Sequence, residues 1–144
     1  MLVHQILRMK ASDQVAHIAP DATVGEAARR LSELRIGSLV VSEDGTEVAG
    51  IISERDIVRE IGRRGPECLG ELVSSMMTTR VVACARDDSA DAVLQRMTDG
   101  RFRHMPVLEA GKMVGIISIG DVVKARLSEL SMEKEALEGM IMGH

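Results

Sequence analysis

GIISERDIV, at residues 50–58, returns as GIISIGDVV at residues 115–123, 65 positions further along the chain. A repeat of that length indicates two copies of one structural unit. In each copy an apolar run without helical period precedes a Ser, an Asp three residues later and a new apolar pattern. This order predicts a buried strand that ends where a helix begins, with the Ser as N-cap and the Asp at the third helical position.

Two interpretations fit the Ser-x-x-Asp pairs, Ser53 with Asp56 and Ser118 with Asp121. In a capping box, the two side chains satisfy backbone N–H groups at the start of the helix. The same helix start also has free N–H groups and the positive end of the helix dipole, which suit a phosphate or a sugar edge. A carboxylate held there can accept both hydroxyls of a ribose. Two equivalent copies give this second interpretation more weight than one copy would.

The composition is that of a globular protein. Its 144 residues, 45% of them apolar, suffice for one compact domain or for two small repeats that share a core. The net charge of −4 argues against a general nucleic-acid or anionic-membrane binder. Phe102 is the only aromatic residue, so the stacking platforms of single-strand binders are missing. The composition therefore disfavours nucleic acid as a partner.

Neither a metal site nor a membrane segment is indicated. Cys68 and Cys84 lack CxxC spacing, and His4, His17 and His144 show no metal-ligand spacing. Lone thiols of this kind fit a reducing compartment. No segment approaches the ~20 apolar residues of a membrane span, and polar residues interrupt the N-terminal apolar positions. We therefore expect a cytoplasmic protein with no metal and no membrane contact.

Each copy is predicted to read strand, helix, strand, strand, helix, an α/β arrangement of the α+β type. In the first copy Asp21 or Thr23 caps a helix that ends near Gly37. The other elements of this copy are strands at residues 16–19, 38–42 and 48–52 and a helix at residues 56–61. The second copy has strands at residues 81–84, 103–108 and 113–117, with a helix cap at residues 86–89. The connector at residues 67–79 is expected to be ordered.

Both ends of the chain are predicted to be helical. Residues 1–11 have apolar side chains at helical spacing, and we interpret them as a lid on the repeats. After residue 123, an apolar stripe continues at alternating spacings of three and four, with Lys134 at its one polar position. The stripe consists of Leu127, Leu130, Leu137 and Ile141. It packs either on its own domain or on the same helix of a second subunit.

These features resemble the paired cystathionine-beta-synthase (CBS) domains, also called a Bateman module. The resemblance covers about residues 14–125 and rests on the order, spacing and duplication of the elements. It implies two tandem β-α-β-β-α repeats related by a pseudo-twofold axis, with a C-terminal helical extension. The implied boundaries are residues 1–62 for the N-terminal segment and first repeat, 63–80 for the connector, 81–126 for the second repeat and 127–144 for the tail.

By this resemblance, two clefts between the repeats bind adenosine-containing ligands. The carboxylates of Asp56 and Asp121 would accept the ribose hydroxyls, and Ser53 and Ser118 would lie towards the ribose or phosphate. One adenine would lie near Ile18, Ile36, Gly37 and Ser38, and the other near Val82, Met105 and Pro106.

Basic residues near these motifs have two interpretations. They either hold a phosphate or form a solvated basic edge, and they are Arg55, Arg101, Arg103 and His104. His104 is either a hydrogen-bonding residue or a group that changes charge near neutral pH. Gly120 stands where the first motif has Arg55, so we expect the two clefts to differ chemically.

The resulting hypothesis is a regulatory module that is not an enzyme. Its ligand would be an adenine nucleotide, namely NAD(H), AMP, ADP or ATP, with no metal required, and binding would shift the populations of two arrangements. The output would pass to an unknown protein effector or through a homodimer. No set of nucleophile, base and orienting group suggests catalysis. The alternative is a ligand-free scaffold that works through its dimer interface and C-terminal helix.

Overall fold

The computed structural model describes residues 1–10 and 15–141. The helices are α1 (Val3–Met9), α2 (Val24–Leu34), α3 (Glu54–Arg64), α4 (Val73–Met76), α5 (Ala90–Gly100) and α6 (Ile119–Ile141), and a 3-10 helix spans Pro66–Gly70. The strands are β1 (His17–Ile18), β2 (Ser38–Val41), β3 (Gly50–Ser53), β4 (His104–Glu109) and β5 (Lys112–Ser118). The predicted mixture of helices and strands, with a C-terminal helix, is confirmed. Three predictions extend outside the described residues. They concern the end of the lid at residue 11, the start of the resemblance at residue 14, and residues 142–144 of the tail.

The strands of the first repeat form one sheet in the order β1, β2, β3. β1 runs parallel to β2, and β3 pairs with β2 as the antiparallel hairpin that the sequence predicts. β2 is the central strand, and all four of its residues are buried, which requires cover on both faces of the sheet. Leu39 and Ile52 pack with Val24 of α2 in an apolar core. This core fixes the end of β3 and the start of α3, where Ser53 lies.

The second repeat places the antiparallel hairpin of β4 and β5 where the first has β2 and β3. His104 pairs with Ser118 as Ser38 pairs with Ser53, so the two hairpins share one register. The two motifs therefore occupy equivalent positions at the ends of β3 and β5.

The strand predicted at residues 81–84 is wrong. Within the described chain, Cys84 alone of this segment bridges a strand, parallel to Val107 of β4. Its N–H donates to the Pro106 carbonyl at 3.0 Å. Val81 and Val82 instead line a cleft and do not pair with a described strand.

Two helix ends differ from the predictions for local reasons. α3 starts at Glu54, as the predicted Ser53 cap requires, and runs through Gly62 to Arg64, whereas the sequence placed this helix at residues 56–61. Gly65 follows it with a φ of 86°, a conformation that glycine adopts without strain. α2 ends before Arg35, whose φ is 55°. Thr23, rather than Asp21, caps α2 by accepting a hydrogen bond from the Glu26 N–H at 3.1 Å.

The short helices that precede the two repeats are exchanged between them. The Val3 N–H of α1 donates to the Asp88 carbonyl of the second repeat at 2.9 Å. The Val73 N–H of α4 donates to the Ala22 carbonyl of the first repeat at 2.8 Å. Both valines are fully buried, whereas the neighbouring Leu72 is exposed. The segment predicted to be a lid is thus a helix that packs on the second repeat. The residue limits given above for the repeats and the connector stay predictions.

α6 packs on its own repeat only near its start. Val122 and Ala125 are its buried residues. The side chains of the stripe, Leu127, Leu130, Leu137 and Ile141, are 50 to 84% exposed. The interpretation in which the stripe packs on its own domain is therefore wrong. In the part of the chain that the structure describes, no helix is long and apolar enough to cross a membrane.

The first glycine of each motif lies beneath an exchanged segment. A Cβ on Gly50 would lie 2.7 Å from the carbonyl oxygen of Thr78. A Cβ on Gly115 would lie 2.9 Å from Cδ2 of Leu7. Both distances are too short for a side chain, so these glycines allow the exchanged segments to approach β3 and β5.

We predict that Gly50→Ala lowers the free energy of unfolding by about 1 to 3 kcal/mol, because a backbone carbonyl must move. Gly115→Ala should cost less, since the end of the Leu7 side chain can rotate away. The matched control is Gly62→Ala, at an exposed helix position where no described atom lies within 4 Å. It should add about 1 kcal/mol. Urea denaturation measures all three, and a Gly50→Ala chain as stable as the wild type would contradict the packing argument.

Candidate functional site

A cleft of about 960 Å³ lies between the two repeats, lined by the first residues of both α3 and α6. Ten of the residues predicted from the sequence line it, namely Gly37, Ser38, Ser53, Arg55, Asp56, Val82, Arg101, Arg103, His104 and Ser118. The sequence assigned Gly37 and Val82 to different clefts, but the structure brings them to the same one. The described chain thus concentrates most of the predicted site in a single cavity.

The first motif is a capping box at the start of α3. The Asp56 N–H donates to Ser53 Oγ at 3.2 Å, and the Ser53 N–H and Oγ both donate to Asp56 Oδ2 at 3.0 and 2.9 Å. The other carboxylate oxygen, Oδ1, accepts from Arg59 at 2.9 Å. The Arg59 side chain is 63% exposed, so this ion pair is weak. Asp56 therefore caps its helix with one oxygen and keeps the second available behind a displaceable arginine.

The second motif has the same cap but a different cation. The Ser118 N–H donates to Asp121 Oδ2 at 2.9 Å, and the Asp121 N–H donates to Ser118 Oγ at 3.1 Å. Lys10 Nζ lies 3.0 Å from the same Oδ2 and donates to the Ile116 carbonyl at 2.8 Å. Burial raises the pKa of Asp121, but the Ser118 and Lys10 hydrogen bonds outweigh it and the pKa is lowered. Asp121 is thus already held by an ammonium group from the chain itself.

Lys10 and Arg80 have equivalent positions in the exchanged segments. Lys10 follows Val3 by seven residues, as Arg80 follows Val73. Arg80 lines the cleft. Within residues 1–10 and 15–141 it makes no ion pair, whereas Lys10 binds Asp121. The motifs therefore differ in the cation on their carboxylate: Lys10 from the exchanged segment binds Asp121, whereas Arg59 from α3 itself binds Asp56.

The wall of the cleft is basic. Arg55, Arg80, Arg101 and Arg103 line it, and none of them forms an ion pair with a described carboxylate. Together with Arg59, these arginines outnumber the two carboxylates on the wall, Glu54 and Asp56. Guanidinium groups without carboxylate partners suit a ligand that carries phosphate or carboxylate oxygens.

His104 and Ser38 lie where the two repeats meet in the cleft. A Cβ on Gly37 would lie 3.2 Å from the His104 ring, so the ring occupies space that this glycine leaves. Burial lowers the pKa of His104; Asp121 and Glu54 oppose this effect, while Lys10 and Arg103 add to it. Ser38 is 6% exposed, and its Oγ has no hydrogen-bond partner among the described residues. The cleft thus has at this point an imidazole with a lowered pKa and, beside it, a buried hydroxyl without a described hydrogen-bond partner.

The structure places five predicted residues outside the cleft wall. These are Ile18, Ile36, Met105, Pro106 and Asp121. Ile18 and Met105 are buried in the cores of the first and second repeats. Ile36 packs against the first core, and the carbonyl of Pro106 is bonded to Cys84. Strand residues that a core covers cannot present their side chains to a ligand.

Several residues on the wall were missed by the sequence interpretation. The connector contributes Thr78 and Arg80, and α3 contributes Arg59. A signal existed for Arg80, because Leu2-Val3 recurs as Leu72-Val73 ahead of the second repeat. Aligning these pairs gives Lys10 and Arg80 the same position, although it does not show which cleft they reach.

Two further findings concern the cysteines and metal ligands. Burial raises the pKa of the Cys84 thiol to about 11, with Asp88 adding to the effect and Arg96 opposing it. A thiol with so high a pKa is a poor nucleophile near neutral pH. Among the described residues, no group of three or more His, Cys, Asp or Glu could hold a metal ion.

Comparison with known proteins identifies the class. A family model described as CBS domain matches residues 4–63 and 73–128. The chain therefore belongs to the CBS domain family and contains two such repeats. The crystal structure of the CBS-domain containing protein ATU1752 from Agrobacterium tumefaciens is similar, with 44% identity, a TM-score of 0.83, and coverage of 88% of this chain and 99% of that one.

Two other relatives extend this comparison. The chain is 35% identical to the CBS domain-containing protein CBSX3, mitochondrial, of Arabidopsis thaliana over 127 residues, which cover 85% of this chain and 62% of that relative. The CBS domain protein PAE2072 from Pyrobaculum aerophilum, complexed with AMP, shares the fold at 23% identity and a TM-score of 0.77, with coverage of 92% of this chain and 99% of that one.

We predict a pH-dependent stability that originates at His104. Because burial lowers its pKa in the folded chain, the unfolded chain binds more protons, and stability is lost as the pH falls below about 6.5. The loss between about pH 7.5 and pH 5.5 should be smaller in His104→Gln. Urea denaturation at both pH values measures it, with His17→Gln as the control. Equal losses in the wild type and His104→Gln would contradict the assignment.

Proposed function

We propose that this CBS-domain pair is a regulatory module that binds an adenosine-containing nucleotide with phosphate groups in the cleft between its repeats. The candidates are NAD(H), AMP, ADP and ATP. One observation carries the proposal: the start of α3, with Ser53 and Asp56, shares a cleft with four arginines that have no described carboxylate partner. A structural neighbour of the same fold is complexed with AMP, which supports an adenosine ligand.

The ribose is assigned to the first motif. Asp56 Oδ1 would accept the ribose hydroxyls once the exposed Arg59 side chain moves aside. Ile51, Val81 and Val82 supply the apolar wall on which adenine can rest. A base held there needs no aromatic platform, because apolar contact and main-chain hydrogen bonds suffice.

The phosphates are assigned to the basic wall. Arg55 follows the cap in α3, and Arg101 and Arg103 come from the loop before β4, so phosphates would contact both repeats at once. The dipole of α3 adds a favourable interaction with negative charge at its N-terminus. A ligand that bridges the repeats can favour one relative arrangement of them, which is the basis of a signal.

We propose one nucleotide per chain. Asp121, the equivalent of Asp56, is bound to Lys10, whose ammonium would have to leave before a ribose could bind. Gly120 also replaces Arg55 in the second motif, which removes one phosphate ligand from that side. Both differences disfavour the second motif.

The remaining parts of the proposal concern the output. The module would act on a protein effector or through a homodimer, within the cytoplasm, and as a binding protein rather than an enzyme. A scaffold function is the second candidate, favoured by the exposed apolar stripe on α6. The two candidates differ in whether the cleft has a ligand.

We predict that a phosphate-bearing adenosine ligand at ~100 times its dissociation constant raises the stability of the chain by about 2.7 kcal/mol, or about 5 to 10 °C in Tm. Adenosine itself should give a smaller rise, since it leaves the arginines unpaired. Asp56→Ala should abolish the rise by removing the ribose acceptor. Thermal unfolding with NAD, NADH, AMP, ADP, ATP and S-adenosylmethionine provides the measurement.

The control for this experiment is Arg63→Ala, which removes an exposed arginine of the same helix and should leave the rise unchanged. Arg59→Ala should increase the rise, because no arginine then competes for Asp56 Oδ1. If no nucleotide in the panel changes Tm, the nucleotide proposal fails and the scaffold candidate gains support.

We also predict a stoichiometry of one nucleotide per chain by isothermal titration calorimetry. Lys10→Ala frees Asp121 and should raise this number or strengthen a weak second event. Lys10→Arg keeps a cation on Asp121 and serves as the matched control, with a stoichiometry that stays at one. Two equivalent sites in the wild-type chain would show that Lys10 does not block the second motif.

A further inference from the structure

The second half of α6 is a helix without a partner. Each side chain from Ser131 to Glu138 is exposed, and contacts with the rest of the chain are confined to the first turns. An isolated helical segment this short is marginal in water. The apolar stripe continues along this segment and needs a covering surface. Its four residues, together with the exposed Val123 before them and Lys134 between them, are called the seam.

We propose that the stripe pairs in antiparallel orientation with the stripe of a second copy of this chain. The seam positions, including Lys134, are symmetric about residue 132. In this register Val123 lies opposite Ile141 of the second copy, Leu127 opposite Leu137, and Leu130 opposite Lys134. Every seam position therefore meets a seam position over the whole of the exposed stripe. The proposal is independent of the nucleotide.

The charges beside the seam favour this orientation. Antiparallel pairing brings Lys124 beside Glu138 of the second copy, an attractive pair that occurs twice by symmetry, and Glu133 beside Glu133, a repulsive contact that occurs once. Parallel pairing would instead place Lys134 opposite Lys134, with Glu133 beside Glu138, and both contacts are repulsive. The flanking Glu129 and Glu135 add negative charge, which disfavours an anionic membrane as the covering surface.

The folded repeats leave room for a second helix. At 100° per residue, the stripe lies roughly 130° around α6 from the buried Val122 and Ala125. Each domain therefore lies on the outer side of its own helix. The exposed end of one α6 then covers the outward face of the other α6, next to the other domain.

Cysteine cross-linking distinguishes the orientations. Leu127→Cys and Leu137→Cys chains of different mass are mixed and oxidised with glutathione disulfide, without nucleotide. Antiparallel pairing should give the mixed disulfide, and little of either self-linked species. In this arrangement residue 137 of one chain lies ~15 Å along the helix from residue 137 of the second chain. This is beyond the Cα separation of ~7 Å that a disulfide allows. The native Cys68 and Cys84 are buried and do not compete.

Self-linked dimers of either variant as the main product, or no cross-linked dimer at all, would overturn the proposal. A charge exchange tests the register independently. Lys124→Glu and Glu138→Lys should each raise the dimer dissociation constant about two- to fivefold, and the double variant should restore it. Sedimentation equilibrium measures these constants, and a double variant no tighter than either single variant would also count against the antiparallel register. Because nucleotide is absent throughout, the result does not depend on the proposed ligand.

Discussion

The structure depends on the exchange of two short segments between the repeats. α1 precedes the first repeat and packs on the second, while α4 precedes the second repeat and packs on the first. Each exchanged segment passes over the first glycine of a motif, where a side chain would collide with it. The repeats are therefore joined by interlocked backbone contacts rather than by a linker alone. Their relative position, and with it the cleft, follows from this arrangement.

The same exchange makes the two halves chemically unequal. Because the segments occupy equivalent positions, Lys10 and Arg80 are counterparts, yet Lys10 neutralises Asp121 and Arg80 lines the cleft. An ammonium group is a compact charge that a single carboxylate oxygen can hold, whereas a guanidinium fork suits two oxygens of one phosphate. This difference between equivalent residues leaves Asp56 with only the exposed Arg59 as its cation partner, whereas Asp121 is held by Lys10.

The sequence predicted those features that depend on short-range chemistry. The Ser53 and Asp56 cap was predictable because its hydrogen bonds join residues three positions apart. The predictions were weaker where residues meet across long sequence separations. Arg80 was missed because its approach to the cleft depends on the packing of α4 against the other repeat.

The sequence also did not predict which strand residues reach the cleft. Met105 was assigned to adenine, yet it is one of three successive buried residues of β4 and lies in the core of the second repeat. Simple alternation of inward and outward residues does not hold for a strand covered on both sides. The sequence predicted the apolar stripe on α6, but it did not predict whether the stripe faces its own domain or solvent. That depends on the face of α6 that Val122 and Ala125 bury in the core.

α6 connects the cleft to the exposed stripe in one unbroken helix. Ile119 and Gly120 line the cleft, and the helix continues to Ile141. A displacement of its first turn is transmitted along the helix, because backbone hydrogen bonds make it stiff. Linkage then imposes reciprocity: if nucleotide in the cleft changes the affinity of one α6 for another, pairing of the helices must change the affinity for nucleotide by the same factor. A nucleotide that contacts only the first motif would leave α6 unaffected, so contact with the second repeat through Arg101 or Arg103 is what such coupling requires.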